Sequence, residues 1–292
     1  MIIEVPATSA NLGPGFDTLG VALNLKNIAT ITKAQISSIS VKGEGENDIR
    51  LKTNNSFVNI FYDHYQNITG YKDNFRFEFI NNVPIARGLG SSSAVIIGAI
   101  TSAYEMAGVK ISKDMILKKA LFYENHPDNI APATYGCFTS SVVKNSKVYT
   151  QKKEMPSYLK AVMVIPNVSM STNHSRTLLP KRYKAKDTIF NISRSTNLAV
   201  AFFCEDWELL KIVSEDKVHQ ELRMGGLKEL FEVQQLALRN GALMSTLSGS
   251  GSSFFNLVYS DKALSLKNKL IDKFPKFRVE IFDFDNNGVV IK

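Results

Sequence analysis

At 292 residues the chain is long enough for one large domain or two ordinary ones with a sizeable buried core. Its 44% hydrophobic and 21% charged content is close to the globular average, which excludes disordered and fibrous classes. No segment reaches the roughly 20 apolar residues of a membrane span, and the N-terminal residues do not resemble a signal peptide. We therefore expect a soluble, cytoplasmic protein with no membrane partner.

The net charge of +8 favours an anionic partner, that is, a nucleotide or a nucleic acid. The basic residues are scattered in ones and twos, as at Lys118-Lys119 and Lys152-Lys153, and do not form a dense binding stripe. We therefore expect no nucleic acid. Cys137 and Cys204 match neither a disulfide framework nor a metal site, so we expect two buried, reduced thiols.

The first half of the chain combines strands with a glycine loop and helices. Alternation and apolar periodicity predict, in chain order, strands at 2–8, 18–32 and 75–79, helices at 92–107 and 112–124, and a strand at 135–143. The polar stretch that follows, residues 144–156, is the predicted domain boundary.

The second half has the pattern of helices packed on a sheet. The predicted elements are a strand at 159–165, helices at 187–203, 205–213 and 226–239, strands at 242–247 and 253–258, a helix at 261–273, and a strand at 279–284. This order indicates an α+β arrangement with an antiparallel or mixed sheet.

The segment 84–94 has the composition of a phosphate-binding loop. Backbone N–H groups at the start of a helix bind phosphate well, because unpaired donors and the positive end of the helix dipole coincide there. Gly88 and Gly90 lack side chains that would keep the chain away from a ligand, and serines 91–93 add hydroxyls. The pattern is neither the Walker nor the Rossmann motif. On composition and spacing alone, an ordinary glycine turn capped by serine fits equally well.

Three segments resemble, in the same order, the three motifs of the family of galactokinase, homoserine kinase, mevalonate kinase and phosphomevalonate kinase (GHMP kinases). The second motif, Pro-x-x-x-Gly-Leu-Gly-Ser-Ser-x-Ala, is matched by Pro84-Ile85-Ala86-Arg87-Gly88-Leu89-Gly90-Ser91-Ser92-Ser93-Ala94. The first is matched by a segment containing Asn11-Leu12-Gly13-Pro14-Gly15-Phe16-Asp17, in the form found in the homoserine kinase branch. The third resembles Leu247-Ser248-Gly249-Ser250-Gly251-Ser252-Ser253, with Ser252 where the family usually has proline.

This resemblance implies a two-domain α+β GHMP kinase fold. The expected N-terminal domain, residues 1–155, is an α/β nucleotide-binding domain with left-handed-type βαβ topology, and the expected C-terminal domain, 156–292, is a ferredoxin-like α+β domain. The implied activity is ATP-dependent phosphorylation of a small-molecule alcohol, with Mg²⁺ as cofactor. ATP would be bound by the whole of segment 84–94 together with Ser248, Gly249 and Gly251.

A fourth segment, Glu124-Asn125-His126-Pro127-Asp128-Asn129, is similar to the Glu-Gly-His-x-Asp-Asn stretch of homoserine kinases. A carboxylate, an imidazole and an Asp-Asn pair within six positions are hard to explain as core residues. The resemblance implies that Ser92 and Glu124 hold the magnesium ion and that Asn129 is a third catalytic residue. Whether Asp128 acts as a general base stays open, and we assign none.

The acceptor implied by the resemblance is L-homoserine, a small zwitterion. The family's Ser-Thr-x-x-x-Arg is matched by Ser171 to Arg176, and its His-x-Pro-Tyr-Arg more loosely by His219 to Arg223. The implied substrate-binding residues are Asn11, Asp17, His126, Asn129, Thr172, Arg176 and Arg223. Asp17 would pair with the ammonium group, and the two arginines would fork onto the carboxylate.

Alternatives remain open on the sequence alone. Another small-alcohol kinase of the same family, of mevalonate or shikimate type, has no need for an ammonium partner. A non-catalytic member that binds nucleotide is a second alternative, and a basic nucleic-acid-binding domain is a third. We expect a homodimer, for which the exposed faces of the helices of the second domain are available.

Overall fold

The computed structural model describes the backbone of residues 1–292 and all side chains except those of Thr172 and Asn173. The strands are β1 (Ile2–Ala10), β2 (Leu19–Lys33), β3 (Ser38–Gly43), β4 (Phe75–Asn81), β5 (Phe138–Lys144), β6 (Lys147–Lys153), β7 (Leu159–Ile165), β8 (Met244–Leu247), β9 (Phe254–Tyr259), β10 (Arg278–Phe282) and β11 (Val290–Ile291). The helices are α1 (Arg50–Thr53), α2 (Ser56–Thr69), α3 (Ser91–Met106), α4 (Lys113–Ala120), α5 (Pro127–Tyr135), α6 (Thr172–Thr177), α7 (Ala185–Cys204), α8 (Leu210–Val213), α9 (Gln220–Met224), α10 (Glu229–Arg239) and α11 (Ser260–Lys273).

The first sheet has seven strands in the order β11-β1-β2-β4-β3, and β5 and β6 continue from β2. All pairs are antiparallel except β3 with β4, which makes the sheet mixed. Residues 144–156, the predicted domain boundary, contain β6. Asn145 and Ser146 both have positive φ, as a type I′ hairpin turn requires, and they fold β6 back onto β5.

The second sheet has four antiparallel strands in the order β10-β7-β9-β8. In chain order within this half, that is 4-1-3-2, the strand order of a ferredoxin-like sheet. The apolar sides of α10 and α11 pack on it through Leu230, Val233, Leu266 and Leu270. The expected two-part α+β architecture is confirmed.

The two sheets share a buried core. Leu19 and Val21 of β2 lie in one apolar cluster with Met163 of the second sheet. Phe138 of β5 stacks on Phe202 of α7 with ring centroids 4.0 Å apart, and both rings are fully buried. Removing a buried ring of this kind costs about 3–5 kcal/mol. The shared core therefore fixes the distance between the two walls of the cleft described below.

Several elements differ from the sequence-based expectation. The elements that were not predicted are helices α1, α2, α5, α6 and α9 and strands β3, β6 and β11, and the predicted helix at 205–213 shrinks to α8. Helix α5 carries two overlooked start signals, a proline at its first position and Asp128 in its first turn. Of the two thiols, only Cys137 is buried, so the expectation is wrong for Cys204. No described helix is both long and apolar enough to cross a membrane.

Candidate active site

A cleft of about 800 Å³ brings the four predicted segments together. The predicted residues on its wall are Asn11, Asp17, Ile85 to Ala94, Glu124, His126, Asn129, Arg176, Arg223 and Gly249. Pro84, Ser248 and Gly251 lie outside this lining. The side chain of Thr172 lies outside the described residues.

Helix α3 begins at the glycine loop. Gly90, with φ of 67°, precedes its first residue, and the helix has no side-chain cap. The first intrahelical hydrogen bond is donated by the Ala94 amide to the Gly90 carbonyl at 2.9 Å. The amides of residues 91–93 therefore precede the hydrogen-bond ladder and can donate to an anion.

The two glycines are needed for contact with the protein itself. A Cβ at Gly88 would collide with the carbonyl oxygen of Ser248, and a Cβ at Gly90 would collide with the Thr8 hydroxyl. Both also have positive φ, which non-glycine residues rarely adopt. We expected glycine at these positions because side chains would keep the chain away from a ligand. In the structure, however, the space next to both glycines is filled by neighbouring segments.

Hydrogen bonds to the second half of the chain fix the loop on the side away from the cleft. The Ser248 hydroxyl donates to the Gly88 carbonyl at 2.6 Å. The Arg87 guanidinium donates to the Pro166 carbonyl at 3.1 Å and to the Asn167 side chain at 3.0 Å. Arg87 and Ser248, which were both predicted to contact ATP, also fix the conformation of the loop.

The carbonyl of Gly249 joins the first and third motifs. It accepts a hydrogen bond from the side-chain nitrogen Nδ2 of Asn11 at 3.0 Å and another from Arg223 Nη1 at 3.1 Å. The Asn11 side-chain oxygen accepts from the Asp17 amide at 3.0 Å. Asn11 is therefore occupied on both sides, and it sets the conformation of the turn that carries Asp17.

The side chain of Glu124 contacts the first turn of α3. Its carboxylate accepts from the Ser93 hydroxyl at 2.8 Å, whereas Ser92 is exposed and lines the cleft. Burial raises the pKa of Glu124 to about 7, although the Ser93 hydrogen bond and the charge of Arg176 oppose this rise. A cation in the cleft would therefore strongly favour ionised Glu124.

Helix α5 places Asn129 and Asp128 in the same cleft. The Asn129 oxygen accepts from the Thr8 hydroxyl at 2.7 Å, so its amide NH₂ group is the part that can donate to a ligand. Burial raises the pKa of Asp128 well above its usual range, and the neighbouring charges of Asp17 and Glu124 raise it further.

The opposite end of the cleft is charged. Arg176 of α6 donates to both oxygens of Asp17, at 2.6 and 3.2 Å, in a bidentate pair. His126 Nδ1 lies 3.3 Å from the same carboxylate. Burial lowers the pKa of His126, and Asp17 opposes that effect. A carboxylate, an imidazole and a guanidinium thus meet at one point.

Arg223 of α9 reaches this end as well. Its side chain is buried, and the Phe16 ring lies 5.1 Å from its guanidinium and 5.3 Å from that of Arg176. Burial, together with the charge of Arg176, lowers the pKa of Arg223 to about 10. Two cations held this close favour an anionic ligand.

Sequence reasoning overlooked the apolar end of the cleft. Leu51, Phe57 and Phe79 line it together with Asn55 and with Ile85, which was predicted as part of segment 84–94. Asn55 caps α2 by accepting from two backbone amides, which is a detectable N-cap signal. Because α2 was not predicted, the contribution of Asn55 and Phe57 to this wall was not predicted either.

The polar side chains near the loop fit a magnesium ion that is also bound by phosphate oxygens. They fit a metal site built from protein ligands alone less well. Among the described residues, no group of three or more His, Cys, Asp or Glu side chains could hold a metal. Mg²⁺ characteristically takes one or two protein ligands, with water and phosphate oxygens completing its shell. Glu124 with a nearby serine hydroxyl matches that pattern.

Comparison with known proteins decides the family. Residues 55–137 match the family model of the GHMP kinases N terminal domain. Homoserine kinase of a Nitratiruptor species is 60% identical over 292 residues, covering all of both chains. The chain belongs to the homoserine kinases of the GHMP family. Homoserine kinase of Campylobacter jejuni (strain RM1221) is 57% identical over 291 residues, again covering both chains.

Solved structures agree with the fold of this family. A crystal structure of homoserine kinase from Cytophaga hutchinsonii has a TM-score of 0.87 at 24% identity, covering 100% of this chain and 97% of the other. Methanococcus jannaschii mevalonate kinase has a TM-score of 0.74 at 17% identity, covering 97% and 98%. The predicted family, fold class and ATP-dependent kinase activity are confirmed.

Proposed function

We propose that this GHMP kinase transfers the γ-phosphoryl group of ATP to the side-chain hydroxyl of L-homoserine, giving ADP and O-phospho-L-homoserine for threonine biosynthesis. The observation that carries the substrate assignment is the ion pair of Asp17 with Arg176 in the same cleft as the glycine loop. The two members of this pair complement the ammonium and the carboxylate of an α-amino acid. A mevalonate-type acceptor has no ammonium group to pair with Asp17.

The nucleotide would lie along the loop and α3. The amides of residues 91–93 would donate to the phosphates, where the positive end of the helix dipole adds to the attraction. The apolar end lined by Leu51, Phe57 and Phe79 would take the adenine ring, since such walls bury flat apolar rings well. ATP then spans the cleft with its γ-phosphate directed toward the charged end.

Glu124 and Ser92 would hold the magnesium ion, and Ser93 would orient the Glu124 carboxylate from behind. When bound, Mg²⁺ neutralises charge on the transferring phosphates. The raised pKa of Glu124 supports this assignment, because a buried carboxylate that is costly to ionise alone is stabilised by a bound cation.

The acceptor would be oriented by side chains from both halves of the chain. Asp17 and His126 would contact the ammonium group, and Arg176 and Arg223 the carboxylate. Asn129 would donate its amide NH₂ to the reacting hydroxyl, while Asn11 shapes the turn and Thr172 completes the predicted set. Correct placement of the hydroxyl against the γ-phosphate would supply most of the rate enhancement.

We assign no general base. A loose transition state needs little proton removal before the phosphoryl group moves. Asp128 is the nearest alternative, but the rise in its pKa favours the protonated form, which cannot accept a proton.

We further propose a domain boundary at residues 155–156, a homodimeric working form and a cytoplasmic location. The gap between the end of β6 at Lys153 and the start of β7 at Leu159 supports the boundary. Exposed apolar side chains on one face of α7, at Ile189, Ile192 and Val200, support a partner surface on the second half.

The test is a coupled ADP-release assay over L-homoserine, L-threonine, L-serine, mevalonate and shikimate. We expect L-homoserine to have the highest kcat/KM, because it alone combines both charged groups with a hydroxyl at the required reach. Equal turnover of mevalonate or shikimate would contradict the substrate assignment and leave the kinase assignment intact.

A further inference from the structure

The buried His219 lies between the turn of the first motif and Arg223. Its Nε2 lies 2.8 Å from the Gly13 carbonyl oxygen, and its Nδ1 lies 3.3 Å from Arg223 Nη1. The ring is 1% exposed and packs against Phe16 with centroids 5.1 Å apart. His219 therefore contacts two of the elements that form the charged end of the cleft.

These two contacts determine the tautomer of the ring. A carbonyl oxygen can only accept, so Nε2 must carry the proton that faces Gly13. The guanidinium of Arg223 can only donate, so Nδ1 must be unprotonated to accept from it. A protonated ring would direct an N–H at an N–H of Arg223. Burial also lowers the pKa of His219, which favours the neutral form.

The position of His219 along the chain is fixed as well. Asp216 accepts from the backbone amides of His219 and Gln220, both at 2.8 Å, at the start of α9. It also accepts from Asn191 of α7 at 2.7 Å. His219 is the N-cap residue of α9, four positions before Arg223, and the two side chains meet at 3.3 Å. The backbone that presents the imidazole to Arg223 is thus held by a buried carboxylate.

We propose that His219 is a positioning residue for the acceptor, whose neutral imidazole accepts from Arg223 Nη1 and so orients the guanidinium toward the carboxylate of the amino-acid substrate. Arg223 Nη1 is shared between His219 and the Gly249 carbonyl, so one edge of the guanidinium is committed to the protein. Arg223 Nε is buried and has no hydrogen-bond partner among the described residues, so the guanidinium keeps donor capacity for a ligand. The proposal rests on the proposed homoserine kinase function.

Two substitutions separate the contacts of the imidazole. In His219→Gln the longer side chain places an amide near the Nε2 position, which keeps a donor for Gly13 and removes the acceptor for Arg223. In His219→Asn the shorter side chain places an amide oxygen near the Nδ1 position, which keeps that acceptor. Each variant is assayed with L-homoserine and with 3-aminopropan-1-ol, which is homoserine without its carboxylate.

We expect His219→Gln to raise KM for L-homoserine about 10-fold, the loss typical of one hydrogen bond to a charged group, with KM for ATP unchanged. His219→Asn should restore most of the loss, and neither variant should change kcat/KM for 3-aminopropan-1-ol, or its dissociation constant if turnover is slow. An equal loss on both acceptors, or a matching rise in KM for ATP, would overturn the proposal. A wild-type enzyme that does not prefer L-homoserine would instead contradict the proposed function.

A second measurement needs no variant. The chain has four histidines, so the ring nitrogens of His219 can be assigned by ¹⁵N NMR of the labelled wild-type protein. At pH 7 we expect the neutral form with the proton on Nε2. A protonated ring, or a proton on Nδ1, would contradict the proposal even if His219→Gln failed to fold.

Discussion

At the nucleotide end of the cleft the groups proposed to bind phosphate are the backbone amides of residues 91–93. At the acceptor end they are the side chains of Asp17, Arg176 and Arg223. The first set comes from one contiguous motif, and the second comes from a turn and two short helices far apart in sequence. A backbone site tolerates little change in local conformation, whereas a side-chain site depends on packing that is distributed over the chain.

The loop glycines and the charged side chains of the acceptor end differ in the same way. Gly88 and Gly90 are needed because neighbouring segments contact the loop, so their substitution changes the backbone itself. Asp17 and Arg176 are linked mainly to each other, so their substitution changes a local charge and leaves the fold in place. The predictions below test this contrast, starting with the largest expected effect.

Glu124 links the two ends, and its loss should have the largest effect on turnover. Replacing it with Gln removes the only metal-binding charge proposed for the protein, and we expect kcat to fall about 10²–10³-fold. Steady-state assays over a range of Mg²⁺ concentrations measure this effect. A fall of less than about 3-fold would exclude Glu124 from the metal site.

The same variant tests the pKa of Glu124. Because its folded-state pKa is about 7 against an ordinary 4.5, the folded protein binds this proton more tightly than the unfolded chain. The stabilisation is full below pH 4.5 and is lost as the pH rises toward 7. Glu124→Gln cannot ionise, so without Mg²⁺ its free energy of unfolding should fall less than that of the wild type across this window. Parallel curves in urea unfolding experiments would contradict the raised pKa.

Asp17→Asn should act on the acceptor alone. We expect KM for L-homoserine to rise about 30-fold, within the range for a lost charge-assisted contact, and KM for ATP to stay within about 2-fold. The matched acceptor is 4-hydroxybutyrate, which has no ammonium group. Its kcat/KM should stay constant or rise, because the variant leaves Arg176 unpaired and removes a negative charge near the carboxylate. A parallel loss on both acceptors would show that Asp17 has a structural role.

Two adjacent serines provide a smaller test. Ser92→Ala removes an exposed hydroxyl, so kcat should fall about 10-fold while the free energy of unfolding changes by less than about 0.5 kcal/mol.

Ser93→Ala removes the hydrogen bond that lowers the pKa of Glu124, so that pKa should rise further. The acidic limb of its kcat/KM profile should then move to higher pH. An unshifted limb would mean that Ser93 does not influence Glu124.

Gly88→Ala tests the backbone of the loop, and of these variants it should have the smallest effect on the rate of phosphoryl transfer. Adopting positive φ costs a non-glycine residue about 1–2 kcal/mol, and the clash with Ser248 adds to it. The control is Gly70→Ala, which has φ of 77° and no neighbouring atom within 4 Å of the added Cβ. Chemical unfolding should show that Gly88→Ala is clearly the more destabilising. Equal losses would mean that the loop relaxes away from Ser248.

Much of the fold was predictable because it depends on local pattern. Strands β1, β2 and β4 follow from alternating residues, and α3 follows from its glycine loop. Helix α5 was not predicted, since its polar first turn resembles a loop. Its true signal was Pro127 at the first helical position.

The site was predictable in its residue types but not in its contacts. The motifs identify Ser92 and Glu124, but only packing shows that Ser93 is the hydroxyl bonded to Glu124. Similarly, His219 and Arg223 are only four positions apart in the sequence, but the Gly13 contact that sets the tautomer spans 206 positions of the chain. Contacts of this length depend on the tertiary structure, which local sequence patterns do not specify.

The most direct test of the contrast between the two ends is calorimetry on Arg176→Gln. Dissociation constants are measured separately for a non-hydrolysable ATP analogue with Mg²⁺ and for L-homoserine. We expect the nucleotide constant to stay within about 2-fold of the wild type and the homoserine constant to rise about 30-fold or more, as for the loss of a bidentate charged contact. Equal weakening of both ligands would contradict the division into a backbone-built nucleotide end and a side-chain-built acceptor end.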